Sequence, residues 1–290
     1  MMNFKLFIAA LVTTLCCATA CAQRYEHTTS TGGSIKKHVK ASNTYVTKEI
    51  RTDDFVKIQL TGSADVTYEQ RQGKPHVEVY TSDNVLEALD VIVESNVLKI
   101  GFKKGYKISY NDLKIRAQSP NIEGVYISGS GDVDLKPGIK TNHIVLSIAG
   151  SGDIDFNDLT ATDLEVTIAG SGDVEGKHVT CNALKSSIAG SGDIDLENLV
   201  AGTVKASIAG SGEVELKGTS ETATYSIAGS GDIKARGLVV KRVEATTTGS
   251  GDIECHATDF LKVRTTGSGS VGYKGNPQLD VPRKNIYKLD

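Results

Sequence analysis

The chain has 290 residues, of which 39% are apolar, and it carries a formal net charge of −3. This near-neutral charge, without a basic stripe, excludes a typical nucleic-acid-binding protein. Thirty Gly, five Pro and no Trp favour a repetitive β protein over a disordered one, and the apolar fraction suffices for the thin, continuous core of a solenoid.

The N-terminus, 1–22, is predicted to be a signal peptide. Lys5 precedes an apolar run, 6–15, which is too short to span a bilayer and has the length of a secretory h-region. Two processing routes stay open. An A-T-A-C sequence ending at Cys21 is similar to a bacterial lipobox and would leave that cysteine acylated, whereas an A-x-A site before Gln23 would release an unacylated chain. Both routes predict export to the periplasm, the outer membrane or the cell surface, with membrane contact only through an acyl group.

The segment 23–45 is polar and is predicted to be a flexible tether. It contains a basic cluster, Lys36, Lys37, His38 and Lys40. A solvated linker is the preferred interpretation of this cluster, and contact with anionic lipid headgroups is the alternative.

The segment 46–125 is predicted to hold one coil and a β-hairpin cap. Residues 55–60 alternate at the strand period and lead into G-S-A-D-V at 62–66, a degenerate copy of the motif that follows. Further predicted elements are strands at 77–80 and 113–116, a hairpin of 91–94 and 97–100 around the turn 95–96, and a helical turn over 85–89 capped by Asn84. An insertion of this kind would cover the open edge of a terminal coil.

The segment 126–277 repeats one motif, G-S-G followed by Asp, Glu or Ser. The motifs begin at Gly129, Gly150, Gly170, Gly190, Gly210, Gly229, Gly249 and Gly267. Apolar residues recur two positions before six of the eight motifs, with Thr247 and Thr265 at the other two, and four positions after the first Gly of every motif, alternating at the strand period. The pattern predicts an all-β fold, a single-stranded parallel β-helix (solenoid) of about eight ~20-residue coils stacked ~4.8 Å apart. Residues 278–290 lack the motif and are predicted to be a C-terminal tail.

The glycines of the motifs are predicted to be structural turns, because a corner needs positive φ or close backbone approach. They are Gly129, Gly131, Gly150, Gly152, Gly170, Gly172, Gly190, Gly192, Gly210, Gly212, Gly229, Gly231, Gly249 and Gly251. Cys181 and Cys255 lie four motifs apart, which corresponds to ~19 Å along the stack. A disulfide needs Cα atoms within ~7 Å, so both thiols are predicted to be unpaired core residues.

A carboxylate follows nearly every motif. The first column is Asp132, Asp153, Asp173, Asp193, Glu213, Asp232 and Asp252. A second column stands two residues later, at Asp134, Asp155, Glu175, Asp195, Glu215 and Glu254, with Lys234 as the exception. Like charges one coil apart repel by ~1 kcal/mol in water. Three interpretations stay open: the first column caps backbone N–H groups, divalent cations such as Ca²⁺ bridge the coils, or the stripe binds a cationic or glycan partner.

No catalytic residues are predicted, and no cofactor other than the Ca²⁺ alternative. The acids recur alike on successive coils, whereas a polysaccharide-processing β-helix enzyme needs a non-repeating acid–base cluster. The six His are scattered without the spacing of a metal site. Polysaccharide processing is therefore the least favoured function.

The chain resembles a known family through five features. These are the leader, the strand and G-S-A-D-V at 55–66, the hairpin region, the repeated I-A-G-S-G-D-I, and the closing G-S-G-S-V-G-Y-K-G-N-P at 267–277. Together they are similar to the putative auto-transporter adhesin head GIN domain, over 55–277. The resemblance implies a secreted or lipid-anchored envelope protein of Bacteroidetes-like bacteria, with a β-helix fold and no established catalytic residues. The expected function is a non-catalytic adhesin-like protein or scaffold, whose partner is an unknown surface protein or glycan.

Overall fold

A computed structural model describes residues 37–282 and 284–290. The predicted signal peptide with Cys21, and the tether up to residue 36, lie outside them. The described chain is all-β, with 72% strand and one short helix. Stacked parallel coils form a β-solenoid of about 8 turns, which confirms the predicted fold class.

The N-terminal region precedes the regular coils. Its elements are β1 (Lys37–Lys40), β2 (Tyr45–Ile50), β3 (Lys57–Gly62), β4 (Asp65–Gln70), β5 (His76–Ser82), α1 (Asp83–Leu86), β6 (Leu89–Glu94), β7 (Val97–Phe102), β8 (Tyr106–Ser109) and β9 (Leu113–Ser119).

The regular coils and the C-terminal strands follow. They are β10 (Gly124–Gly129), β11 (Val133–Leu135), β12 (Ile139–Gly150), β13 (Ile154–Phe156), β14 (Leu159–Gly170), β15 (Val174–Gly176), β16 (Val179–Gly190), β17 (Asp193–Gly210), β18 (Glu213–Gly229), β19 (Asp232–Gly249), β20 (Ile253–Gly267), β21 (Val271–Lys274), β22 (Gln278–Asp280) and β23 (Ile286–Lys288).

Each regular coil contributes one strand layer to a continuous parallel ladder. Ile148 is in register with Ile168, which is in register with Ile188, and the ladder continues to Ile208 and Ile227. All five side chains are buried, with at most 2% of their surface exposed. Like side chains therefore stack on like, and the resulting columns form the core.

The ladder accommodates both the two cysteines and a change in coil length. Cys181 and Cys255 are buried and free, as predicted. The 19-residue interval that ends at Gly229 is accommodated by a register shift between Leu196 and Leu199. Asn198 adopts a φ of 51° there, so the corner absorbs the change in length without disturbing the buried columns.

The N-terminal region joins the ladder through β3 and β4. Gly62 is in register with Gly129, so 62–66 belongs to the first coil, as predicted. The predicted hairpin is present as β6 and β7, and its turn residues Ser95 and Asn96 have φ of 52° and 62°, typical of a type I′ turn. Strand β7 pairs with β3, while β2, β5 and β9 form antiparallel pairs.

The helical turn was predicted with the wrong cap. Helix α1 has Ser82 at its N-cap position, and Asn84 lies inside the helix. The Asn84 side chain instead accepts a hydrogen bond from the Ser42 N–H (3.0 Å) and donates one to the Lys40 carbonyl (2.8 Å). The Asn84 side chain therefore bonds to residues distant in sequence, whereas the local sequence pattern predicted that it caps the helix.

Both ends of the described chain contain strands where a tether and a tail were predicted. Strand β1 lies within 23–45 and pairs in parallel with β8, burying Val39. Strands β22 and β23 lie within 278–290 and pair with β20 and β21, so the stack continues past the last motif as a shorter coil. No helix in the described ranges has both the length and the apolarity to cross a membrane.

Candidate functional site

The corner at each G-S-G motif brings successive coils into very close contact. Gly170 has a φ of +147°, and a Cβ there would lie 2.0 Å from the Gly150 carbonyl oxygen. A Cβ at Gly172 would likewise lie 2.0 Å from the Gly152 carbonyl oxygen. The Ser171 N–H donates to the Gly150 carbonyl at 2.9 Å. Only glycine fits such an approach, which explains the first and third letters of the motif.

The first acidic column caps backbone N–H groups at these corners. Asp173 Oδ1 accepts a hydrogen bond from the Asp193 N–H at 2.8 Å, and Asp193 Oδ1 accepts one from the Glu213 N–H at 2.8 Å. The same bond, at 2.7–2.9 Å, is made by Asp132, Asp153, Asp232 and Asp252. Each carboxylate therefore ties its coil to the next, and this attraction offsets the repulsion between neighbouring charges.

Glu213 interrupts the column. The Asp232 N–H donates to the Gly212 carbonyl at 3.1 Å rather than to Glu213. The longer Glu213 side chain instead reaches Lys234, whose Nζ lies 2.6 Å from Oε2. Lys234 is the one cation in the second column, so the two sequence exceptions form a single local arrangement.

Two carboxyl groups of the second acidic column are partly buried beside other acids. Burial, followed by the charges of Glu175 and Asp153, raises the pKa of the Asp155 carboxyl group. Burial also raises the pKa of Asp195, although Lys217 acts in the opposite direction. Within the described chain, the buried Asp195 Oδ1 has no hydrogen-bond partner. Asp195 faces an open cleft of about 190 Å³ lined by acids from three coils.

Charge pairs between coils follow the same repeat. Lys185 Nζ lies 2.6 Å from Glu165, and Lys262 Nζ lies 3.4 Å from Glu244. Two further pairs join Glu197 to Lys217 and Glu221 to Lys241. All are solvent-accessible, so each contributes at most about 1 kcal/mol.

The geometry gives the acids a capping role. In the described ranges, no three His, Cys, Asp or Glu side chains are placed to hold a metal ion together. A second open cleft, of about 320 Å³, lies in the N-terminal region, where Arg116 pairs with Glu78 at 3.1 Å. The Ca²⁺ alternative for the first column stays a prediction, because the hydrogen bonds establish only the capping.

Comparisons with known proteins cover most of the chain. The family model described as "Putative auto-transporter adhesin, head GIN domain" matches residues 54–217 and 204–277. No curated protein matches the chain.

Several solved structures are similar to the chain. A putative lipid binding protein from Parabacteroides distasonis is 28% identical, with a TM-score of 0.69, over 88% of this chain and 100% of that one. A putative adhesin from Parabacteroides merdae is 27% identical, with a TM-score of 0.66 and the same coverage. A putative adhesin from P. distasonis is 26% identical, with a TM-score of 0.68, over 87% and 98% of the two chains.

Proposed function

The chain belongs to the putative auto-transporter adhesin, head GIN domain family, and from this premise we propose that it is a non-catalytic envelope protein. Its β-helix presents a repetitive surface for adhesion or scaffolding. The names of the similar structures, adhesin for two and lipid binding for one, favour binding over catalysis.

The observation that carries this proposal is the repetition of the surface itself. The acid that follows the motif recurs at the same place on seven coils, and most members make the same backbone hydrogen bond. An enzyme needs one cluster in which a nucleophile or base differs from its surroundings. A repeated array instead offers a partner the same contact several times, and binding energy accumulates through multivalency.

Export and the route of attachment are part of the proposal. The apolar run 6–15 supports a secretory signal. We place the mature protein in the periplasm, at the outer membrane or on the cell surface, and Cys21 is the proposed site of acylation. The intact mass of the mature protein distinguishes an acylated Cys21 from an unmodified chain that begins at Gln23.

The sharpest test removes one whole coil. Deleting 171–190 joins Gly170 to Ser191 and recreates the sequence I-A-G-S-G-D, so the buried columns stay in register. Beads coated with the full chain, the deletion variant, or a variant in which 171–190 is duplicated are applied to immobilised mucin, a glycan-rich glycoprotein. The measurement is repeated after enzymatic removal of the mucin glycans, which separates a glycan partner from a protein one.

A repetitive binding surface predicts graded retention. The deletion weakens retention without abolishing it, and the duplication strengthens it. Abolition by the deletion, with no gain from the duplication, would mean one localised site. No retention of the full chain on either form of mucin would remove the adhesive role toward such surfaces.

A further inference from the structure

A pair of strands in the N-terminal region gathers lysines from two distant segments. Strand β1 pairs with β8, which places His38 beside Lys107 and Lys40 beside Ser109. The turn before β8 adds Lys103, which is exposed, as are Lys40 and Lys107. We call Lys37, His38, Lys40, Lys103 and Lys107 the basic patch.

The two segments that carry the basic patch supply no negative charge of their own. The segments 36–48 and 97–109 contain no Asp or Glu. Among the described residues, the four lysines of the patch form no salt bridge. Asp83, on the adjoining helix, already accepts hydrogen bonds from Ser42 Oγ (2.5 Å) and the Asn84 N–H (2.7 Å).

Two lysines make contacts that keep their charge. Lys103 Nζ donates to the Glu87 backbone carbonyl at 2.7 Å. Lys37 Nζ lies 5.5 Å from the centroid of the Tyr106 ring, a cation–π contact. Both contacts are to uncharged groups, a backbone carbonyl and an aromatic ring, so they orient the ammonium groups without neutralising them, although Glu87, which supplies the carbonyl, is itself an acidic residue. Because side chains alternate along a strand, His38, Lys40 and Lys107 share one exposed cationic face of the β1–β8 pair, whereas Lys37 and the Tyr106 ring lie on the face that buries Val39.

We propose that the basic patch docks on the anionic phospholipid headgroups of a membrane. Charge complementarity supports this partner, because clustered lysines are drawn to an anionic bilayer surface within a Debye length. Position supports it as well. Only about 15 residues separate Lys37 from Cys21, a reach of at most ~50 Å. An acyl chain at Cys21 and a basic patch would together supply the two signals that stable attachment requires.

The test uses the unacylated chain from Gln23 to Asp290, so that only the patch holds it to lipid. Cosedimentation is measured with vesicles of phosphatidylcholine and phosphatidylglycerol in equal parts, and with vesicles of phosphatidylcholine alone. We expect binding to the anionic vesicles only, weakening as salt is added.

Matched variants locate the surface. Lys40→Gln with Lys107→Gln should lower the partition coefficient by about fivefold for each lysine removed. The control, Lys177→Gln with Lys205→Gln, changes the net charge equally at exposed coil positions that form no salt bridge in the described ranges, and it should bind like the parent chain. Unchanged urea midpoints show that both variants stay folded.

Three results would overturn the docking. They are equal binding to both kinds of vesicle, equal loss in the coil control, and binding to an immobilised anionic polysaccharide without binding to vesicles. Each is independent of the coil-deletion experiment, since mucin retention is measured without lipid. A negative result with the vesicles therefore leaves the adhesive proposal intact, and a negative result with mucin leaves the membrane-docking proposal intact.

Discussion

The regular coils and the N-terminal region are held together by different kinds of residue pairing. In the coils, most residues are paired with their own counterparts twenty positions away, such as Ile168 with Ile188. In the N-terminal region, the partners are unlike residues far apart in sequence. The buried Tyr68 hydroxyl contacts Ser119 Oγ at 2.9 Å, and Gln70 bonds to the backbone of Lys140.

This difference determines what each region tolerates. Every coil repeats the same corner and the same buried columns, so the effect of a substitution in one coil should hold at the equivalent position of the others. Each contact in the N-terminal region occurs only once, and specific polar pairs hold its antiparallel strands against the parallel stack. Substitutions of the same kind should therefore have different consequences in the two regions.

The largest contrast concerns glycine. Gly190→Ala places a Cβ 2.1 Å from the Gly170 carbonyl oxygen at a φ of +146°, and overlap with strain should lower the free energy of unfolding by about 3–5 kcal/mol. Gly73→Ala, at a φ of +122° with no atom within 4 Å of the new Cβ, should cost only about 1–2 kcal/mol from strain. Urea unfolding of both variants measures the difference, and equal losses would contradict the role of close approach.

Two buried tyrosines give the next contrast. In the N-terminal region, Tyr68 bonds to Ser119, and burial raises its pKa to about 12; Tyr68→Phe should cost about 1–2 kcal/mol. In the coils, the buried Tyr225 hydroxyl has no partner among the described residues, and burial raises its pKa. Tyr225→Phe should be neutral or stabilising by about 1 kcal/mol. Thermal unfolding checks the sign, and a loss in both variants would show that Tyr225 does have a partner.

The acidic column predicts a smaller, pH-dependent effect. Because the pKa of Asp155 is raised in the folded state, its ionisation opposes folding above that pKa, and the penalty disappears as the pH falls below the ordinary value of 3.8. Asp155→Asn should therefore stabilise the protein near neutral pH by a few tenths of a kcal/mol, since solvent screens the charges.

The gain from Asp155→Asn should vanish in acid, as followed by urea midpoints across the carboxyl range. Asp280 supplies the opposite sign, because its hydrogen bond with Arg264 lowers its pKa. Asp280→Asn should destabilise the protein at neutral pH and lose this effect as the pH falls. The same direction in both variants would argue against repulsion within the column.

The last prediction compares two substitutions at Asp193, of which the conservative one should have the smallest effect. Its Oδ1 accepts the Glu213 N–H, and an asparagine carbonyl can do the same, so Asp193→Asn should change stability by less than about 0.5 kcal/mol. Asp193→Ala leaves the donor uncapped and should cost about 1 kcal/mol. Calorimetric titration with Ca²⁺ completes the test. Heat in the parent chain that is lost in Asp173→Asn would support a bound cation in addition to the cap.

How well each region could be predicted depends on whether its contacts follow the sequence repeat. The period of the motif predicted the coils, the buried isoleucines and the unpaired Cys181, because stacking brings equal positions together. It did not predict that Glu213 and Lys234 would pair, since a column treats all its members as alike. The Asn84 contact with Ser42 was missed because its partner lies 42 residues away and no repeat identifies it.

The constant offset between stacked residues also shapes how the molecule assembles. Forming each new layer of the ladder closes a loop of about twenty residues, and the entropy of loop closure depends only weakly on which layer it is. Once one layer is in place, every later layer gains a similar buried surface for a similar loss of freedom. The coils can thus grow outward from any nucleus by successive additions, in the manner of one-dimensional repeat arrays, whereas the N-terminal region must search for partners that no neighbouring layer has positioned.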